Sequence, residues 1–306
     1  MTSPAPFPVS VRRGVPLAEH TTLGIGGPAE LFLEPQRPED LAERLDALDR
    51  DGVPFRLLGG GANLLAPDGG VPGAVLATGR MRRVFREGER GLRAWAGATL
   101  PQLVRTAREL GLSGLEPLVG VPGQLGGALA MNAGSAQWGI WDVVVEAVVW
   151  RPVPGGGGEV VALDRATVAP RYRDGNLRGA VVLEALLELT PSDRARVRAA
   201  EEALLKRKNA TQPVSASSAG CAFRNPPGDS AGRLIDAAGL KGLRVGGAAV
   251  SERHANFVVD LGGATAADVR TLLARVEETV AERFGVRLER ELVVWPEPER
   301  PVAAAG

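Results

Sequence analysis

Apolar residues recur at helical spacing in three stretches of the chain. Pro38 to Asp51 carries Leu41, Leu45 and Leu48 on one face, opens with proline and stops at Gly52, so a helix is expected there. LPQLVRTARELGL predicts a second helix, ended by Gly111. Ala264 to Phe284 sets Val269, Leu272, Leu273, Val276 and Val280 in one stripe, the mark of a helix facing a core. Residues 191–209 read as a polar linking helix, and SAGRLIDAAGL as a short one. Alternating or continuous apolar runs predict strands. AELFLEP and VPFRLL flank the first helix in a compact β-α-β unit, and RRVFREGERGLRAWAG reads as a hairpin. DVVVEAVVWRP pairs with GEVVAL across a GGGG turn, and AVVLEALLEL is a buried strand. RVGGAAV, NFVVDL and VRLERELVVW complete the strands, and the tail EPERPVAAAG is expected to fray.

Charge adds little to this outline. The 36 basic and 36 acidic residues cancel, which leaves no electrostatic footprint for nucleic acid or a membrane surface. Cys221 is the single cysteine, so an internal disulfide framework is excluded and a reducing, cytoplasmic setting is expected. MTSPAPFPVSVRRG holds no signal-peptide core, no stretch approaches a membrane span, and no metal site is expected. At 306 residues, two or three domains are expected.

Three glycine-rich stretches carry the candidate chemistry. GIGGPA, Gly24 to Ala29, meets a loose dinucleotide fingerprint, but a strand follows it where a helix should, which excludes the Rossmann reading. LLGGGANLL, Leu57 to Leu65, lies between two apolar strands, and its glycines let successive amides turn toward an anion; a plain mobile turn is the alternative. GVPGQLGGALAMNAG, Gly120 to Gly134, is nearly chargeless, with Asn132 as its main polar side chain. It reads either as a tightly packed helix and loop or as a surface for close approach of a flat ligand. By residue type alone, Cys221 is packing, a nucleophile served by His254 and Asn256, or a proton source.

HTTLGIGGPAELF, LGGGANLL, GLEPLVGVPGQLGGALAMNAG, YRDGN, SAGCAFRNP, AGLKGLRVGGAAVSERHANFVV and LERELVVW follow one another in the order of the motifs of the UDP-N-acetylenolpyruvoylglucosamine reductases. The chain resembles that family from about His20 to Trp295, in its shorter form without an inserted tyrosine loop. The resemblance implies an α+β FAD-binding fold of the vanillyl-alcohol-oxidase type in two subdomains, residues 1–79 and 80–193. A C-terminal α+β substrate domain with the linking helix and tail, residues 194–306, would follow. It implies non-covalent FAD held by Leu58, Gly59, Gly60, Gly61, Ala62, Asn63 and Leu64, and by Gly120, Val121, Pro122, Gly123, Gly126, Gly127, Ala128, Asn132, Ala133 and Gly134. Two departures stand out. A tyrosine usual after NAG is replaced in SAQWGIWD, and Cys221 stands where the family most often has serine.

The reaction so implied reduces an enolpyruvyl ether to a lactyl ether for peptidoglycan precursors. Hydride passes from NADPH through flavin N5 to the terminal vinyl carbon. The resemblance casts Arg173 as the cation on the substrate carboxylate, Glu291 as its protonated partner, and Cys221 as the acid that protonates carbon. A free thiol has a pKa of about 8.5, acidic enough for that step. Asn225 and Gln212 are expected to bind substrate, with Lys206, Arg207 and Lys208 adding positive field. Small-molecule substrates are the only expected partners, and a monomer is favoured. A cysteine hydrolase or a non-catalytic nucleotide-binding module are the competing readings, and each leaves one of these residue groups without a use.

Overall fold

The computed structural model describes residues 10–135, 137–213 and 216–304; the start of the N-terminal segment and the last two residues of the tail read above lie outside them. Two compact units are interleaved along the chain. The first comprises residues 1–12, 31–60 and 73–206, and the second residues 13–30, 61–72 and 207–306.

The first unit is built on a five-stranded antiparallel sheet in the order Gly158–Leu163, Val144–Pro152, Val181–Glu188, Gly91–Trp95, Val84–Glu87. Helix α1 (Pro38–Arg50) begins as expected at proline, and Asp40 reaches back to accept from the Arg37 main-chain N–H at 3.1 Å. Asp46 and Asp49 tie α1 to the GGGG turn. Asp46 Oδ1 accepts from Trp150 Nε1 at 2.7 Å and from Gly158 N–H at 2.8 Å, and Asp49 from Gly157 N–H at 2.7 Å. Gly155, Gly156 and Gly157 all have φ between +79° and +97°, a run that only glycine adopts without strain. Helix α2 (Leu100–Glu109) is capped by Thr99, which accepts from Gln102 N–H at 3.2 Å. Helix α3 (Leu125–Ala130) lies inside the third glycine-rich stretch, α4 (Arg165–Val168) is a single turn capped by Asp164, and α5 (Arg194–Thr211) is the polar linking helix. Trp141, Trp150, Leu103, Leu118 and Leu183 are among the side chains that close this core.

The second unit packs helices α6 (Ala231–Ala237) and α7 (Ala266–Phe284) with an antiparallel sheet, Ser218–Cys221, Phe257–Asp260, Ala248–Val250, Arg244–Val245. Val269, Leu272, Leu273, Val276 and Val280 of α7 form the expected apolar stripe. Thr265 and Asp268 cap its start reciprocally at 3.0 Å, and Gly285, φ +67°, ends it.

Two expectations need correction. VRLERELVVW is not a continuous strand. Only Val293–Val294 is strand, parallel to Leu64–Leu65, because the preceding backbone divides its hydrogen bonds among several partners. Glu289 O accepts from Arg224 N–H, and Glu291 and Leu292 both donate to Ala222 O. The tail does not fray through Val302: Glu297 accepts from the N–H groups of Asp68 and Gly69 at 3.1 and 2.9 Å, and Val302 N–H donates to Gly69 O at 2.8 Å. Charged and polar tail residues are held by specific bonds that composition does not reveal.

Candidate functional site

In the first unit the two glycine-rich loops meet backbone to backbone. A Cβ on Gly60 would lie 2.9 Å from Gly123 Cα, so Gly60 has no room for a side chain. Leu58 is buried before the turn, and Gly120 and Gly123 adopt φ of +71° and +110°. Gln124, passed over in the sequence reading, anchors the junction. It is buried, its Oε1 accepts from Thr78 Oγ1 at 2.7 Å, and the same oxygen lies 3.7 Å from where a Gly59 Cβ would be. A polar residue between glycines and an apolar helix was the available signal for it. The amides of Leu125 and Gly126 bond to Ala98 O and Ala96 O, which fixes α3 to the sheet side. Gly126 is pressed on Ala96, with 3.2 Å from its virtual Cβ, whereas a Cβ on Gly127 would meet nothing within 4 Å. Protein packing therefore crowds a side chain at 126 and leaves room for one at 127. Among the described residues no protein acceptor serves the main-chain N–H of Gly59 or Gly60. Close-packed glycines, spare amide donors and open space beside Gly127 fit the diphosphate and flat ring system of FAD.

Arg173 also belongs to this unit. It sits at the tip of a tight turn, φ +56°, closed by Arg171 N–H to Asp174 O at 2.7 Å and Asp174 N–H to Arg171 O at 3.2 Å. Its guanidinium lies 4.9 Å from the Tyr172 ring centre. Asn132 Nδ2 donates to Arg171 O at 2.9 Å. Ala133 N–H donates to Ala128 O, and a Cβ on Gly134 would stand 2.1 Å from Trp138 O. A cavity of about 420 Å³ in the same unit, lined by Arg108, Val119, Arg198, Glu201, Glu202 and Leu205, contains none of the expected site residues.

The second unit gathers Gly61, Ala62, Asn63, Leu64, Cys221, Asn225 and Glu291. A Cβ on Gly61 would lie 2.0 Å from His20 O, and Thr22 N–H donates to Gly61 O. Asn63 Nδ2 donates to Glu291 O at 2.9 Å, while Glu291 N–H donates to Ala222 O at 2.8 Å. Glu291 is thereby held one residue from Cys221 in the backbone pairing. Asn225 Oδ1 accepts from Ala231 N–H at 3.0 Å at the start of α6. Gln212 follows α5, its N–H bonded to Lys208 O at 2.9 Å. Burial, and then the neighbouring Arg207 charge, pull the Lys208 ammonium below its usual pKa.

The residues of the hydrolase reading are occupied otherwise. Asn256 is buried and bonds Phe223 on both sides, accepting from its N–H at 2.9 Å and donating to its O at 2.8 Å. His254 Nδ1 accepts from Asn256 N–H at 3.3 Å, and its ring packs edge-on against Phe257 at 4.8 Å. Burial holds its pKa below the usual histidine value, an effect its own backbone opposes and Lys241 reinforces.

Known proteins agree with this assembly. The family model described as "FAD binding domain" matches residues 29–163, and that described as "UDP-N-acetylenolpyruvoylglucosamine reductase, C-terminal domain" matches residues 212–295. UDP-N-acetylenolpyruvoylglucosamine reductase 2 of Symbiobacterium thermophilum is 44% identical over 292 residues, covering 94% of this chain and 93% of that protein. The reductase of Moorella thermoacetica is 44% identical over 283 residues, 92% of each chain. The crystal structure of the Thermus caldophilus reductase superposes with a TM-score of 0.80 at 39% identity, covering 94% of this chain and 100% of that one. The FAD-binding fold of the vanillyl-alcohol-oxidase type with a C-terminal α+β domain is therefore the fold of this protein. With its glycine cradle in place and relatives matched along nearly their whole length, the chain belongs to the UDP-N-acetylenolpyruvoylglucosamine reductase family.

Proposed function

We propose that the protein reduces UDP-N-acetylglucosamine enolpyruvate to UDP-N-acetylmuramate at the expense of NADPH and one proton. The observation that carries this reading is the 44% identity to a named reductase over 94% of the chain. Leu58, Gly59 and Gly60 with Gly120, Val121, Pro122, Gly123, Gly126, Gly127, Ala128, Ala133 and Gly134 would hold FAD, Asn132 would join them through its backbone alone because its carboxamide is bonded to Arg171 O and Trp141 N–H, and Gly61, Ala62, Asn63 and Leu64 continue the first of these loops. Once bound, FAD would supply the hydride-transfer chemistry between NADPH and the terminal vinyl carbon. The chain's own residues bind, polarise and protonate. Arg173 would grip the carboxylate with its planar fork and share the charge that spreads from the adjacent carbon. Glu291 would act toward the substrate carboxylate in its protonated form, since two carboxylates would repel. Cys221 then gives its proton to that carbon, which completes the conversion of the vinyl double bond to a single bond. Asn225 keeps Nδ2 as a donor for the substrate diphosphate while its Oδ1 serves α6, and Gln212 and Lys208 lead into the same region.

The FAD-binding subdomains 1–79 and 80–193, the substrate domain from 194 to 306, a monomeric state and a cytoplasmic location belong to this proposal. Among the described residues no helix is long and apolar enough to cross a membrane.

The deciding experiment follows the two half-reactions under anaerobic conditions. Purified protein is expected to be yellow and to release all its flavin on acid precipitation. NADPH should bleach it, and the enolpyruvyl substrate should restore the colour. Arg173→Ala and Glu291→Gln should bleach normally and recover on the order of 10²–10³ more slowly. Loss of the NADPH half-reaction alone in either variant would overturn its assigned role, and a colourless holoprotein the whole reading.

A further inference from the structure

Five non-glycine residues among those described have left-handed φ: Asn132 (+43°), Ala169 (+48°), Arg173 (+56°), Asn176 (+50°) and Arg178 (+51°). Four of them fall within residues 169–178, and the fifth is hydrogen-bonded to that segment. Each such residue costs on the order of 1–2 kcal/mol, so the conformation persists only where neighbouring bonds over-determine it.

Those bonds are identifiable. Gly175 N–H donates to Ala130 O at 2.8 Å, and a Cβ there would fall 1.9 Å from Leu129 O, so the loop docks on the end of α3 only through glycine. Asn176 N–H donates to Asp174 Oδ1 at 2.7 Å, and Asn176 Nδ2 donates to Val168 O at 2.6 Å. Arg173 Nη1 itself donates to Ser135 O at 3.5 Å, and a further tie comes from Asn132. Its Nδ2 donates to Arg171 O, the carbonyl that also closes the Arg173 turn, and its Oδ1 accepts from Trp141 N–H at 3.3 Å. Gly139 is pressed against the same carboxamide, 2.2 Å from virtual Cβ to Oδ1, so the group is enclosed on that side. Asparagine suits the position twice. It tolerates a left-handed backbone, and it presents a donor and an acceptor a fixed distance apart.

We propose that Asn132 is a positioning residue for Arg173: its carboxamide pins the base of the strained turn and so sets where the guanidinium meets a substrate carboxylate. The inference rests on the carboxylate-binding role of Arg173 proposed above. A side chain misplaced by about 1 Å can cost roughly 10²-fold in rate, so a residue that touches no substrate can govern what the guanidinium achieves.

The test uses FAD-loaded protein carrying Asn132→Asp, Arg173→Ala or both. Aspartate keeps the acceptor for Trp141 and the tolerance for positive φ, but faces the Arg171 carbonyl with oxygen instead of a donor. Three quantities are read: affinity of the oxidised holoenzyme for UDP-N-acetylmuramate by calorimetry, FAD affinity of the apoprotein by fluorescence, and the rate of flavin reduction by NADPH. Arg173→Ala should weaken product binding by at least about tenfold, the scale of a lost charge-assisted contact. Asn132→Asp should weaken it about fivefold or more, and the double variant should bind no worse than Arg173→Ala within about twofold. FAD affinity and flavin reduction should stay within about threefold of wild type in all three. Losses that multiply in the double variant, wild-type binding by Asn132→Asp, or a primary loss of FAD affinity or of folding would each overturn the positioning role. Wild-type binding by Arg173→Ala would instead remove the Arg173 reading, whatever Asn132→Asp does.

Discussion

Cys221 owes its orientation to one extra residue. Ser218 pairs with Val259 and Cys221 with Phe257, so three steps on one strand face two on the other, and Gly220 at φ +77° absorbs the bulge. A shift of one residue reverses the face to which a strand side chain points, so the bulge decides what this thiol can reach. Cys221→Ala should slow reoxidation of pre-reduced enzyme by the enolpyruvyl substrate roughly 10²-fold or more, the usual scale for a lost general acid. Cys221→Ser, which can still donate a proton, should keep substantial activity, and NADPH should reduce both variants normally. Single-turnover stopped-flow traces give the comparison, and equal rates for wild type and alanine would return the residue to packing. A thiolate nucleophile would not survive the serine exchange. The Asn256 carboxamide, given over to Phe223, likewise speaks for a structural rather than a triad role.

At the scale of elements, α3 shows how a helix can be shaped for something other than its own stability. Its six residues include Gly126 and Gly127, each less favourable in a helix than alanine by about 1 kcal/mol. A side chain at Gly126 would be crowded by Ala96, and nothing in the protein crowds Gly127. Gly127→Leu should therefore leave the apoprotein as stable as wild type or up to about 1 kcal/mol more so. It should also weaken FAD binding by at least tenfold, about 1.4 kcal/mol. Urea titration of the apoprotein and fluorescence titration with FAD measure the two effects, and an unchanged FAD affinity would show that the open space is not the cofactor's. The strand expected over VRLERELVVW teaches the complementary point. Its alternating residues are those of a strand, yet its hydrogen bonds go to Ala222, Arg224, Asn63 and Leu65 in turn, so only Val293–Val294 forms a ladder.

For the whole molecule, the cofactor reading makes stability depend on ligand. A ligand that binds only the folded chain stabilises it by RT ln(1 + [L]/Kd), about 2.7 kcal/mol at a hundredfold excess over Kd. The flavin-free protein should thus melt lower, and its Tm should climb with added FAD and not with riboflavin, which lacks the diphosphate that the glycine amides would serve. A Tm indifferent to FAD would separate the glycine loops from cofactor binding. The chain alone determined the helices, most strands and the glycine-rich loops, because capping, apolar period and left-handed φ are settled within a few neighbouring residues. Pro38 and Gly52 bracketed α1 and the Thr265–Asp268 box opened α7 from local chemistry of this kind. The order of the motifs also carried the family. Only the tertiary structure decided what those loops meet. It set Asn132 against Arg171, 39 residues on, and Asn63 against Glu291, 228 residues on. It also tied Glu297 down to Asp68 and Gly69, where composition had suggested a loose end. Such bonds depend on where the folded backbone places a carbonyl or an amide, and no spacing along the sequence encodes that position.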